Sequence, residues 1–268
     1  MTVWVGTSWK MNKTLAQATD WARGLAEALA GRDLGDVQPF VIPPATAIAA
    51  VAQTLAEEPR VLVGAQNAHW AEAGAWTGEV SVPQVADAGA RIVEIGHSER
   101  REHFGETDET VRAKVAATLA HGLVPLLCVG EPAEVQAAGG SGAHVLGQVE
   151  RALAGLEAEQ LSRVLIAYEP IWAIGEHGRP ATVAELAEPF AALGAHWGSR
   201  VRGLLYGGSV NLDNAADLLG IDHVDGLFVG RTAWRLEGYL RLLEIARSAE
   251  AARARTINDE NDDKEKVK

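Results

Sequence analysis

Short runs of apolar, β-branched residues alternate with longer segments in which apolar positions recur every three or four residues, almost from end to end. The short runs lie at residues 3–8, 39–42, 61–66, 91–96, 123–129, 164–168, 201–206 and 224–229. Most are continuously apolar and not alternating, which is how strands covered on both faces read. Between the first two, Ala18, Ala22, Leu25 and Leu29 share one helical face. After the fourth, Thr107 is placed to cap a helix, and Asp108 and Glu109 suit the positive end of its dipole. Val111, Val115 and Leu119 form the buried stripe of that helix, and Gly122 follows as its stop.

Eight strand–helix cycles without hairpin signals predict a parallel sheet closed on itself, an α/β (β/α)8 barrel in a single domain over residues 1–250. A doubly wound open sheet would usually carry a G-x-G-x-x-G turn after its first strand. Here that turn reads Gly6-Thr7-Ser8-Trp9-Lys10. Residues 251–268 are charged, with almost nothing to bury, and are expected to form a disordered tail.

Composition narrows this picture in three ways. The length of 268 residues suits one barrel, since such domains run to about 250. The net charge of −12 argues against a nucleic-acid partner, whose phosphates need a basic face. An anionic ligand would therefore need a local pocket of backbone N–H groups and a few cations. No apolar run reaches the roughly 18 residues of a membrane span, so no membrane association is expected. The opening MTVWVGTSWK lacks the basic region and long apolar stretch of a secretory leader. The single cysteine, Cys128, excludes an internal disulfide framework and fits a cytoplasmic location. Within its apolar strand it reads as core and not as a nucleophile.

In a barrel, residues that act on ligands gather at the C-terminal ends of the strands. The unusual polar residues fall there: Ser8-Trp9-Lys10, His97-Ser98-Glu99-Arg100, Glu169-Pro170, Gly207-Gly208-Ser209 and Gly230-Arg231. Each alone has a bland reading as a solvated side chain or a turn, but five on one rim do not. A carboxylate such as Glu169 can take a proton from carbon beside a carbonyl. An imidazole (His97) and an ammonium (Lys10) can hold the developing oxyanion, and Gly-rich loops can hold a phosphate. No metal or other cofactor is expected. His97 and His103, with Glu99 and Glu102 nearby, lack a metal-ligand spacing. Two other functions remain open at this point. An aldolase-like barrel would use Lys10 as a Schiff-base amine, although Glu99 would hold it charged. A non-catalytic phosphate-binding barrel would not need Glu169, His97 and Lys10 together.

These motifs resemble the triosephosphate isomerase family over essentially the whole chain except the tail. Ser-Trp-Lys-Met-Asn at 8–12 looks like its strand-one signature, and Gly-His-Ser-Glu-Arg-Arg at 96–101 like one catalytic motif. Ala-Tyr-Glu-Pro-Ile-Trp-Ala-Ile-Gly at 167–175 is similar to the other, and Tyr-Gly-Gly-Ser-Val-Asn at 206–211 to its phosphate loop. The resemblance implies a TIM barrel in which Glu169 is the general base, His97 the proton-shuttling electrophile and Lys10 the cation. It implies that Glu99 supports Lys10, and that Gly175, Ser209, Gly230 and Arg231 align with positions whose N–H groups bind phosphate. Residues 170–180 look like the closing lid, held by Tyr206 and Ser209. Residues 66–79 resemble a loop that reaches into a second subunit, which implies a homodimer.

Three departures from the family pattern stand out. Ser8 replaces the usual Asn, the lid segment Gly175-Glu176-His177-Gly178-Arg179-Pro180 is one residue longer, and Arg231 replaces a Gly. With His-Trp at 69–70, Gly-Ala-Trp-Thr-Gly-Glu at 74–79 and Gly-Arg-Thr-Ala-Trp at 230–234, the chain is similar to the L-erythrulose-1-phosphate isomerase branch. The resemblance implies conversion of that four-carbon sugar phosphate to D-erythrulose 4-phosphate. The alternative is the glycolytic reaction, dihydroxyacetone phosphate to D-glyceraldehyde 3-phosphate. Ser8 would supply room for the extra hydroxymethyl group and a hydroxyl to meet it.

Overall fold

A computed structural model describes residues 2–175 and 178–266, with side chains to residue 253. Its eight strands are β1 (Val3–Ser8), β2 (Val37–Ile42), β3 (Leu62–Ala65), β4 (Ile92–Ile95), β5 (Val124–Val129), β6 (Leu165–Tyr168), β7 (Gly203–Tyr206) and β8 (Gly226–Val229). Each pairs in parallel with its neighbours in chain order, and β8 closes onto β1. The strands are buried on both faces, which is why their sequences are continuously apolar rather than alternating. β7 and β8 begin two residues later than the apolar pattern suggests. The Val201 N–H still closes a turn onto the Trp197 carbonyl, and the Val224 N–H one onto Ile221.

The barrel interior is a packed core. Trp4, Phe40, Ile42, Ile92, Leu126, Leu165, Leu205 and Phe228 fill it. Phe40 stacks on Phe228 at 5.8 Å between ring centroids, and Trp4 meets Phe40 edge-on at 6.2 Å. Gly6 makes this fit possible, because a Cβ there would lie 1.8 Å from the Phe40 ring. A second, larger cluster lies between strands and helices.

The helices form as their sequences indicate. Thr14 and Gln17 make a capping box on the helix Leu15–Leu29, which buries Ala18, Trp21, Ala22, Leu25 and Leu29. Thr107 caps Asp108–Ala120, whose buried face carries Val111, Val115 and Leu119. Lys114 shares that face, an exception to the apolar pattern. It is buried because it pairs with Glu106 and donates to Asn67 Oδ1 at 2.7 Å. The last helix, Leu236–Lys266, extends through most of the segment expected to be disordered. A helix already docked on the barrel needs no new nucleus to extend, even through the Asn- and Asp-containing stretch 258–263.

Candidate active site

The loops after β1, β4, β6, β7 and β8 enclose one cavity of about 640 Å³. Nine of the ten residues singled out from sequence line it: Ser8, Lys10, His97, Glu99, Glu169, Gly175, Ser209, Gly230 and Arg231. Tyr206 does not; it is buried behind the rim at the end of β7. Its hydroxyl lies against the Ala181 N–H without a hydrogen bond of ordinary geometry.

Lys10 follows β1 with a φ of 51°, a left-handed conformation that costs a non-glycine residue about 1–3 kcal/mol. Neighbouring groups hold it there. The Trp9 N–H donates to the Ile42 carbonyl at 3.1 Å, and Gln66 Nε2 donates to the Lys10 carbonyl at 2.8 Å. The result aims Lys10 Nζ at Glu99 Oε1, 2.5 Å away. An amine so paired is an electrostatic group and not a free Schiff-base nucleophile.

His97 caps the helix Ser98–Phe104, its Nδ1 accepting from the Glu99 N–H at 3.1 Å. That bond places the ring proton on Nε2, which lies 3.6 Å from Glu169 Oε2. Burial, helped by the Lys10 charge, holds the His97 pKa down to about 4, so the imidazole is neutral at physiological pH. Glu169 is anchored by its N–H to the Val129 carbonyl at 2.7 Å. Its carboxyl is buried, with its pKa pushed up to about 8 by burial first and by Glu94 second. Gly207 faces it; a Cβ there would come within 2.5 Å of Glu169 Cγ.

Opposite lies the loop that follows β6. Ser209 Oγ donates to the Ala173 carbonyl at 2.7 Å, and Asn214 Nδ2 to the Ser209 carbonyl at 3.0 Å. Arg231 Nη2 donates to the Gly175 carbonyl at 3.2 Å, so the residue that departs from the family's Gly ties the end of β8 to the loop after β6. The lid expected over 170–180 includes residues 176 and 177, which lie outside the described residues.

Residues 3–246 match the family model for triosephosphate isomerase. The chain belongs to the triosephosphate isomerase family. A protein named L-erythrulose-1-phosphate isomerase from Mycolicibacterium smegmatis is 63% identical over 252 residues, covering 94% of this chain and 96% of that protein. One of the same name from Mesorhizobium japonicum is 53% identical, covering 92% and 98%. One from Brucella abortus is 52% identical, covering 90% and 94%. The crystal structure of a triosephosphate isomerase from Bartonella henselae superposes with a TM-score of 0.80 at 34% identity, covering 92% of this chain and all of that one. The pairing of a Glu base with a neutral His is the arrangement by which triosephosphate isomerases are known.

Two buried carboxyls at or beside the cavity, Glu131 and Glu94, were not singled out from the sequence. Glu131 accepts from Tyr168 Oη at 3.1 Å, Trp172 Nε1 at 2.9 Å and Ser141 Oγ at 3.0 Å, and so braces the segment that follows Glu169. Glu94 lines the cavity itself and accepts from Ser8 Oγ at 2.8 Å. Its signal was present: a lone acidic residue in Ile92-Val93-Glu94-Ile95, an otherwise apolar run. With Glu94 ionised, the Ser8 hydroxyl is committed to it as a donor and accepts from a ligand.

Proposed function

We propose that this member of the triosephosphate isomerase family interconverts L-erythrulose 1-phosphate and D-erythrulose 4-phosphate without a cofactor. The pairing of Glu169 with a neutral His97 supports the reaction class, and the shared name of relatives at 52–63% identity supports the substrate. With the carbonyl at carbon 2, ionised Glu169 removes the proton from carbon 3. The Lys10 ammonium stabilises the enediolate, and His97 Nε2–H moves a proton between its two oxygens. Glu169 returns its proton to carbon 2, and the carbonyl emerges at carbon 3. Gly175, Ser209, Gly230 and Arg231 hold the phosphate, Glu99 orients Lys10, and Tyr206 backs the lid.

The deciding experiment is kcat/KM on L-erythrulose 1-phosphate and on dihydroxyacetone phosphate, side by side. A preference of about tenfold or more for the four-carbon sugar is expected, within reach of one hydrogen bond to a charged group. A preference for the three-carbon sugar makes the protein a glycolytic triosephosphate isomerase instead. Replacing Ser8 by the family's Asn should lower kcat/KM more for the four-carbon sugar than for the three-carbon one, because the larger amide takes the space of the hydroxymethyl group. Equal loss on both would remove Ser8 from specificity.

The same reading includes a homodimer in the cytoplasm. Its support is a set of exposed apolar side chains, Met11, Trp76 and Phe104, together with an aromatic cluster in which His69 stacks on Trp70 and Trp76 packs against both. Light scattering at micromolar concentration should give twice the chain mass of 28.4 kDa. A mass of one chain would refute the dimer.

A further inference from the structure

Glu94 is an anomaly in physical terms. It projects into the barrel from β4, one layer above Ile92, in a region otherwise filled by Phe40, Ile42, Leu126 and Leu165. An apolar side chain would fill that position without desolvating a carboxyl. Among the described residues no cation pairs with it, since Lys10, the ammonium beside it, is engaged by Glu99. Among the described residues its one hydrogen-bond partner is Ser8. A buried carboxyl so sparsely satisfied, on the wall of a cavity, is a group built to meet something in that cavity.

Its place in the barrel indicates what. Ser209 and Gly230 stand at the ends of β7 and β8, and Gly175 follows β6, so the phosphate end of the cavity lies on that arc. In a closed eight-stranded barrel, β4 is diametrically opposite β8. Lys10, after β1, and Glu169, after β6, lie on the two arcs between, and His97 stands at the end of β4 itself. A linear sugar phosphate with its reacting carbons at Glu169 therefore directs its far end toward β4, where Glu94 lines the cavity and accepts from Ser8 of β1.

We propose that Glu94, oriented by Ser8, receives the terminal hydroxyl of the four-carbon substrate and is the main determinant of preference for it over the three-carbon one. This rests on the four-carbon reading above. Three-carbon substrate ends at the carbon that loses its proton and has no group to reach this carboxyl. Burial, as the largest cause, raises the Glu94 pKa to about 7, and Ser8 and Lys10 oppose the shift. In either protonation state the carboxyl has an oxygen that accepts from a hydroxyl, so recognition does not depend on one form. The terminal hydroxyl in turn finds a buried partner where it would otherwise be stripped of water.

The test compares wild-type enzyme with Glu94→Leu and Glu94→Gln on L-erythrulose 1-phosphate and dihydroxyacetone phosphate. Leu suits the apolar layer and keeps the fold, which circular dichroism and melting temperature check; Gln keeps the shape and one accepting oxygen. Glu94→Leu should shift the four-to-three-carbon ratio of kcat/KM by roughly 10- to 100-fold, the range of one hydrogen bond to a charged group. The loss should fall on KM as well as kcat, and Glu94→Gln should restore part of the ratio. A wild type that prefers the four-carbon sugar while Glu94→Leu leaves the ratio unchanged overturns this assignment alone. A wild type that acts only on the three-carbon sugar overturns the substrate reading and this assignment with it.

Discussion

Glu169→Gln should lower kcat by about 10³- to 10⁴-fold on the preferred substrate while leaving KM within a few-fold. The amide keeps the size of the carboxyl but cannot take a proton from carbon, and removing a positioned base typically costs up to that amount. Folding should survive the change and the melting temperature should hold or rise. Glu169 is a buried carboxyl 3.6 Å from an uncharged imidazole, so a neutral amide relieves desolvation and breaks no charged pair. Rapid-quench or coupled-assay kinetics with a circular-dichroism control check both halves. A loss below tenfold would move the base elsewhere, and Glu94 would be the next candidate because it is the other fully buried carboxyl on the cavity wall.

The second large effect is on pH. Because the Glu169 pKa stands near 8 in the unliganded site, its ionised fraction falls tenfold per pH unit below that value. kcat/KM should accordingly drop about fiftyfold between pH 8, where half of Glu169 is ionised, and pH 6. The groups facing this carboxyl are Lys10, Glu94, Glu99, His97 and Cys128, and of these Glu94 is the one that raises its pKa most after burial itself. Glu94→Gln should therefore move the acid limb to lower pH. The substrate phosphate has its own ionisation near 6, but that contribution is identical for both enzymes. An unmoved limb would dissociate the two carboxyls.

Stability carries the same signature with a defined sign. Glu94 and Glu169 keep protons in the folded state up to about 7 and about 8, whereas in the unfolded chain they release them near 4.5. The folded protein thus binds more protons over that window, and its stability falls as pH rises through it. His97, held neutral down to about 4, acts the other way below 6.5 and offsets only one of the two carboxyls. The melting temperature of the unliganded protein should decline from pH 5 to pH 8, and less steeply in Glu94→Gln. A melting temperature that rises across this range in wild type would contradict the buried, protonated carboxyls.

Much of this was legible along the chain, for local reasons. Short continuous apolar runs alternating eight times with amphipathic helical segments fit strands covered on both sides, so the parallel barrel followed from the pattern along the chain before any contact was known. Barrel closure then places every strand end on one rim, which is why Lys10, His97, Glu169, Ser209 and Gly230 could be grouped from spacing and motif alone. Thr107 marked its helix because a cap is a contact between residues three apart. What the sequence could not decide were the pairings across the barrel. Lys114 breaks an apolar helical stripe, and only the nearness of Glu106 and Asn67 explains its burial. Ser8 and Glu94 lie 86 positions apart on strands that are not neighbours, and nothing in either local sequence announces their 2.8 Å hydrogen bond. Local propensity is set by residues within a turn or two of each other. The charge state of Glu169, the neutrality of His97 and the polar floor at Glu94 depend on burial and on partners that only closure of the barrel brings together.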